Sequence, residues 1–424
     1  MSLIKKSAAG LVLTAAAAAT SAAFAAGFQL TEQSSLGLGR AYAGAGIVGD
    51  DLSAVHYNPA GMTLLPGVQM QAGGVWIAVD APFKGKDFAG NSVEENGRLK
   101  GQMIPAGYIT RQVNDQLWLG FAMTVPFGMG TQYDEDWAFG DRGTDSKIYT
   151  FDMNPSFAYR VNDFISFGGG ISVQYAKAEL GMSMAHGLAR GAVEGDSWDW
   201  GYNFGVMVSP TDKVRLGLSY RSAIEHEASG TTDVDIPALG NVAFVMNSDV
   251  TIKTPDTVML TGTWEATDDL RLSGLVRWAK WSNFETLTLK NSRYPEAIDA
   301  ALGSMGMTLK EINVENNWED TWLFSVGADY KLNNSWTVRG GIAYEKDPIQ
   351  DQSTRMAAIP DTDRLWLTVG STYKYSDDLQ FDVGAAYLKG VGDKDLYDDV
   401  GGSKVGEYDK LDCYMVGVQM QYRF

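Results

Sequence analysis

The sequence predicts an all-β chain: a transmembrane antiparallel β-barrel of about 14 strands, with an irregular N-terminal segment inside its lumen. Three observations carry this. Apolar and polar residues alternate with period 2 in segment after segment, short Asn/Asp turns alternate with long polar loops, and the chain ends on an amphipathic strand. In that last strand Tyr414, Val416, Val418, Met420, Tyr422 and Phe424 share one face. Met415, Gly417, Gln419, Gln421 and Arg423 share the other, because successive side chains of a strand point to opposite sides. An apolar face with aromatics near both ends suits lipid outside and a wetter lumen inside.

Residues 1–25 read as an export signal. Lys5 and Lys6 precede an apolar run from Ala8 to Ala19, and Ala23-Phe24-Ala25 supplies a small-x-small cleavage site. No later segment is apolar over roughly 18 residues, so no transmembrane helix is expected. Without Lys5 and Lys6, 32 basic residues face 52 acidic ones, a net charge near −20. Such a chain offers no basic cluster to neutralise phosphates, which argues against nucleic acid. Cys413 is the one cysteine, leaving neither an intramolecular disulfide nor a cysteine metal cage. Length alone would allow two or three soluble domains, yet no linker divides the chain.

Residues 26–66 differ from the rest. They are Gly- and Ala-rich, lack strand alternation and carry few charges. A floppy tail would be polar; about forty small, apolar positions exported with a barrel need burial, and the lumen is the natural place.

From 67 to 424 a hairpin rhythm takes over. Tight turns are expected at Val113-Asn114-Asp115, Val161-Asn162-Asp163, Pro210-Thr211-Asp212, Thr267-Asp268-Asp269, Asn333-Asn334-Ser335 and Ser376-Asp377-Asp378, where Asn and Asp side chains bond the local backbone. Longer polar connections fall near 81–99, 129–146, 184–197, 231–247, 285–317, 348–362 and 391–408. Six short turns and seven long loops join fourteen strands, an even number with both ends on one side, as in outer-membrane barrels. A soluble β-sandwich would bury its aromatic face and rarely runs this long. The third strand, Leu117 to Phe127, has weak points at Gly120, Pro126 and Gly128, since Gly and Pro interrupt ladders.

Fourteen strands lie between the eight that side chains just fill and the sixteen or more that leave a channel. Facing the interior are Arg160, Arg215, Arg271, Arg277, Arg339, Arg364 and Arg423, with Asp152, Asp199, Asp329 and Asp382. Opposite charges and many glycines suit a cross-linked interior holding a plug; ordinary solvated wall residues would look the same one at a time. Two long loops also carry apolar residues: Met182, Met184 and Leu188 in one, Ile236, Leu239, Val242, Phe244, Val245 and Met246 in the other. Apolar loop clusters mark binding surfaces, and methionines suit flexible chains; alternatively the loops bury these residues against each other. Residues 294–312 read as one or two short amphipathic helices over the barrel mouth.

Ala-Gly-Phe-Gln-Leu at 26–30, Gly-Leu-Gly-Arg-Ala-Tyr-Ala-Gly at 37–44, Asp50-Asp51 and Asn58-Pro59-Ala60 together resemble the FadL family of long-chain fatty-acid channels. Asn317-Trp318-Glu319-Asp320-Thr321-Trp322 and Ile359-Pro360-Asp361-Thr362-Asp363-Arg364-Leu365-Trp366 extend the resemblance along the mature chain. Leu323 departs from it where an arginine is expected. The resemblance implies a monomeric fourteen-stranded barrel in the outer membrane of a Gram-negative bacterium, amid its lipid and lipopolysaccharide, closed by an N-terminal hatch. Ligand would be captured between extracellular loops (Met182, Met184, Leu188, Phe244 and Met246 are the candidates), passed to a pocket at the N-terminus, and released sideways through the wall without energy coupling.

Carried over to these positions, Asn58, Pro59 and Ala60 would form the hatch motif, Phe28 an apolar gate beside the pocket, and Gly120 a candidate hinge. A fatty acid gains about 0.8 kcal/mol per buried CH₂, but its carboxylate needs a cation once desolvated. Lys177 resembles a basic position of the family; inward-facing Arg339 and Arg364 are alternatives. No catalysis, cofactor or metal is expected: His56, His186 and His226 have no metal-ligand spacing, and no Ser or Cys sits in a nucleophile motif. Uptake of aromatic hydrocarbons, which need no cation, and a general aqueous porin are the competing functions.

Overall fold

The computed structural model of the protein describes residues 27–424, except 88, 97–100, 134–136, 141–142, 185–188, 237–241, 304–307, 358 and 398–401. The expected signal peptide lies outside the described residues. Fourteen antiparallel strands close the barrel: β1 Val68–Asp80, β2 Gln102–Gln112, β3 Leu117–Thr124, β4 Asp145–Arg160, β5 Ile165–Met184, β6 Ala189–Thr211 and β7 Val214–Arg221, then β8 Thr257–Glu265, β9 Leu270–Ala279, β10 Thr321–Lys331, β11 Trp336–Glu345, β12 Arg364–Lys374, β13 Leu379–Gly390 and β14 Asp412–Arg423. Each pairs with the next, and β14 returns to β1 from Asp80↔Asp412 to Gln69↔Arg423. Closure leaves no edge for lipid to meet, which a bilayer demands.

The turns follow the predicted chemistry. Asn114 Oδ1 accepts from Gln116 N and Leu117 N, each at 2.9 Å, and Asn162 and Asn333 repeat the arrangement. Outward side chains are apolar and exposed, as along Tyr414, Val416, Val418, Met420 and Tyr422, while their neighbours Met415, Gln419 and Gln421 are buried inside.

Several expected loops are strands instead. β6 runs 23 residues, and the hairpin Glu225–Ile236 and Val242–Lys253 adds to its outer end. Beyond the membrane a strand keeps its ladder but no longer needs an apolar face, so its sequence looks like a loop. Among the described residues of 294–312 there is one helix, Glu296–Gly303; the strand Glu311–Glu315 pairs with Thr286–Ser292. The third strand stops at Thr124 rather than Phe127.

Residues 27–66 fill the interior with two single-turn helices, Ser35–Leu38 and Ala54–Tyr57, and a 3₁₀ helix, Pro59–Leu64. Nearly all of this segment is buried. Its irregular backbone packs where the wall presents glycine: a Cβ on Gly327 would lie 2.7 Å from Arg40 O, and one on Gly370 2.8 Å from Gly39 Cα. Ala41 and Tyr42 take positive φ, 52° and 60°, a strained conformation held by the surrounding wall.

Candidate functional site

The interior segment is tied to the wall at both ends and along its length. At its start, Gly27 N donates to Asp361 Oδ2 at 2.7 Å, and Asp361 is ion-paired with Arg364. Arg364 also faces Glu345 at 3.6 Å, and Glu345 accepts from Arg277 at 2.6 Å. Arg277 in turn donates to Thr31 Oγ1 at 2.6 Å. Midway, Arg40 bridges Asp50 (2.8 Å) and Asp329 (3.4 Å), and Asp329 also accepts from Arg339 Nε at 2.9 Å. At its end, Asn58 Nδ2 donates to Val206 O at 3.1 Å and Leu218 O at 3.5 Å, while its Oδ1 caps Ala60 N at 3.1 Å. Pro59 opens the 3₁₀ helix, where its fixed φ and missing donor cost nothing.

Phe28 occupies an aromatic box. Its ring centroid lies 4.7 Å from Trp281, 5.5 Å from Phe284, 5.9 Å from Trp318 and 6.0 Å from Phe127, mostly edge to face. Edge-to-face contacts favour the ring quadrupoles. The same apolar cluster continues outward through Val250, Ile252, Leu287 and Leu289 on the strands that rise above the membrane.

Beside the box the wall is interrupted. The β2–β3 ladder ends at Gly107↔Met123, β3 breaks at Val125-Pro126-Phe127, and a short strand, Gly128–Gln132, resumes against β4 alone. The interior segment bridges the break: Leu30 N donates to Pro126 O at 2.8 Å, and Gly128 N to Phe28 O at 2.9 Å. Gln33 adds a side-chain bond to Val125 O at 2.7 Å. Gly120 lies lower on β3, where Met62 and Val55 of the interior segment pack onto it.

Against the segment lies a cavity of about 40 Å³, lined by Leu30, Thr31, His56, Tyr57, Asn203, Ser219, Arg221, Met259 and Arg277 among others. Arg221 donates to His56 O at 2.9 Å and Ser172 Oγ at 2.6 Å. Sequence reasoning singled out neither Arg221 nor Trp281 and Phe284. The signal for Trp281 and Phe284 was an aromatic pair just past β9, in a stretch lacking strand alternation; Arg221 is the inward-facing end of β7.

The other expected site residues scatter. Lys177 shares the outward face of β5 with Ile171 and Val173, and its ammonium pairs with Glu179 (2.9 Å) and Glu194 (2.5 Å). Strand parity thus sets it outside the lumen, away from Phe28. Arg339 and Arg364 do face inward, each against buried carboxylates: Asp329 and Asp382 for the first, Asp361 and Glu345 for the second. Met246 is fully buried and Phe244 partly so, both packed on Val234 and Leu309 in the extracellular hairpins. Met182 and Met184 lie at the outer end of β5; their side chains, and Leu188, fall outside the described residues. Leu323, at the expected arginine position, is buried opposite Arg277.

Residues 16–424 match the protein family described as "Outer membrane protein transport protein (OMPP1/FadL/TodX)". A "Long-chain fatty acid transport protein" of Escherichia coli O6:H1 is 31% identical over 87% of this chain and 88% of its own. "Outer membrane protein P1" of Haemophilus influenzae is 30% identical over 91% of both chains. Among solved structures, a Pseudomonas aeruginosa FadL homologue superposes with a TM-score of 0.80 at 24% identity, covering 94% of this chain and all of its own. The Pseudomonas putida toluene transporter TodX gives 0.70 at 14%, with the same coverage. At those identities the two structures establish the barrel fold alone.

Proposed function

The chain belongs to this family of outer-membrane transport proteins, and from that premise we propose that it is a passive channel for long-chain fatty acids or similar hydrophobic molecules. We place a signal peptide at 1–25, a hatch at 26–66 and the barrel at 67–424. The observation that carries the reading is the position of Phe28. One residue fills the aromatic box, and its own carbonyl closes the break in the third strand. Displacing it therefore empties an apolar pocket and unseals the wall together.

Ligand enters from the extracellular strands, where partly buried Phe244, packed on the cluster of Met246, supplies apolar surface, and follows the cluster through Ile252 and Leu289 to the box. An acyl chain filling the box competes with Phe28. Its carboxylate meets Arg277 and Arg221 beside the cavity as they exchange bonds to Glu345 and to His56 O, or Arg364 if Asp361 lets go; Arg339 lies deeper in the lumen and Lys177 outside it. As the segment withdraws, the gap between β2 and Pro126 opens toward the outer leaflet. Asn58, Pro59 and Ala60 hold the far end of the hatch, and Gly120 lets Met62 and Val55 pack closely on β3. The barrel works as a monomer among outer-membrane lipids and lipopolysaccharide, without cofactor or catalysis.

One observation favours a second reading, uptake of aromatic hydrocarbons: the box is lined by aromatic rings, and each candidate arginine already has a carboxylate or carbonyl partner. Calorimetric titration of the delipidated protein with oleate and with toluene tests both. Saturable oleate binding that weakens in Arg277→Met or Arg364→Met supports the fatty-acid channel. Toluene binding alone moves the assignment to hydrocarbons, and large steady ionic conductance in the intact protein would favour an aqueous porin instead.

A further inference from the structure

The wall has a second discontinuity, remote from the third strand. Toward β5, β6 is laddered continuously from Ile165↔Val208 to Met184↔Ala189. Toward β7 its ladder ends at Arg221↔Asn203, gains one bond from Ser222 N to Tyr202 O (2.9 Å), and resumes only at Ser229↔Asp196 in the outer hairpin. Ser197 to Gly201 lie between. Opposite them Ser222–Ile224 leave the strand, and so do Thr254–Asp256 on the next segment.

Side chains close this seam where main chain does not. Ser222 Oγ accepts from Tyr202 N at 2.9 Å, and Asp256 Oδ1 accepts from Tyr220 OH at 2.6 Å and Ala223 N at 3.0 Å. Buried His226 stands in the gap, with Nδ1 3.2 Å from Ser197 Oγ and 3.1 Å from Asp199 Oδ2, and Nε2 3.0 Å from Gln174 Oε1. Ile224, also buried, fills the place of a side chain at Gly201. Irregular backbone at membrane depth is tolerated where it lines a cavity, and cavities lie on both sides. Outside is an open groove of about 440 Å³ bounded by Trp200, Tyr202, Tyr220 and Asp256; inside is the cavity beside Leu30 and Arg221, which Tyr220 also borders. The exposed Trp198, Trp200 and Tyr202 set the seam at the outer aromatic girdle.

We propose that this seam is a second lateral portal, through which long apolar chains pass between the cavity beside Leu30 and the outer leaflet, with Ile224 and His226 as its closing side chains. The proposal rests on the hydrophobic-channel reading. A side-chain closure opens by rotamer changes and the loss of a few polar contacts, without unzipping a ladder. Oleate has the length and flexibility to thread such a slot.

The test is to staple it. A Cβ on Gly201 would lie 2.8 Å from Ser222 Oγ, within disulfide reach, so Gly201→Cys with Ser222→Cys forms one staple. Uptake of radiolabelled oleate is measured in cells with this protein as their only acyl channel, before and after reduction, alongside oleate binding by the purified proteins. The portal predicts at least a threefold loss of uptake in the oxidised variant, restored by reductant, with binding retained. Unchanged uptake in fully cross-linked protein overturns the portal and leaves the channel standing. Loss of binding along with uptake assigns the effect to the interior cavity and also overturns it. If the unstapled protein neither binds nor imports oleate or toluene, the channel reading falls and the portal with it.

Discussion

Replacing Phe28 with alanine isolates the link between the aromatic box and the wall. The ring is about 1% exposed and has four aromatic neighbours within 6.0 Å. Phe→Ala at such a site costs about 3–5 kcal/mol. Phe28 belongs to no barrel ladder, so the cost falls on the seated position of the segment rather than on the barrel. At about 1.4 kcal/mol per decade, the seated-to-unseated ratio drops by roughly a hundredfold even at the low end. The Leu30 amide, bonded to Pro126 O, reports that ratio directly. Hydrogen exchange at Leu30 should accelerate about a hundredfold, while amides of β14 such as Val416 keep their protection. Phe28→Leu should retain most of the protection, since it preserves apolar volume. If Leu30 exchange in Phe28→Ala stays within threefold of the parent, the box does not seat the hatch, and the coupling of pocket to wall is refuted.

Other perturbations follow the same logic. Asn58→Ala removes two bonds to wall carbonyls and the cap on Ala60 N, each worth about 1 kcal/mol of hatch tethering; oleate uptake should fall, as in Pro59→Ala, while heat-resistant barrel assembly on gels is unchanged. Gly327→Ala sets a Cβ 2.7 Å from Arg40 O; the hatch must shift, and its protease resistance should drop with barrel melting intact. Glu32, on the interior segment, is buried without a hydrogen-bond partner for either oxygen, and burial, reinforced by Glu345, pushes its carboxyl up to about 8. A raised value means the seated state holds a proton that the unseated state releases. Seating is therefore strongest below the ordinary carboxyl range near 4.5 and weakens as pH rises toward 8. Hatch amide exchange should speed up over that window, and Glu32→Gln should flatten the dependence.

The sequence by itself determined the barrel: strand parity, strand number and the side on which the ends meet. Those features are local. Alternation is written residue by residue, and Asn114, Asn162 and Asn333 make their turns through bonds to neighbours two or three residues on. The N-terminal motif was equally legible, because Gly27, Phe28 and Asn58 stand in a segment too apolar for any place but an interior. Tertiary structure decided the rest. Whether an inward arginine is available or engaged depends on carboxylates far along the chain, as Arg277 depends on Glu345 and Arg339 on Asp382. Lys177 resembled a ligand residue by motif, but one strand parity turned it outward. Strands above the membrane lost their alternation with the lipid that demands it, so they read as loops. Both interruptions of the wall arise where a ladder fails between strands, and pairing between strands is written in no single segment of the chain.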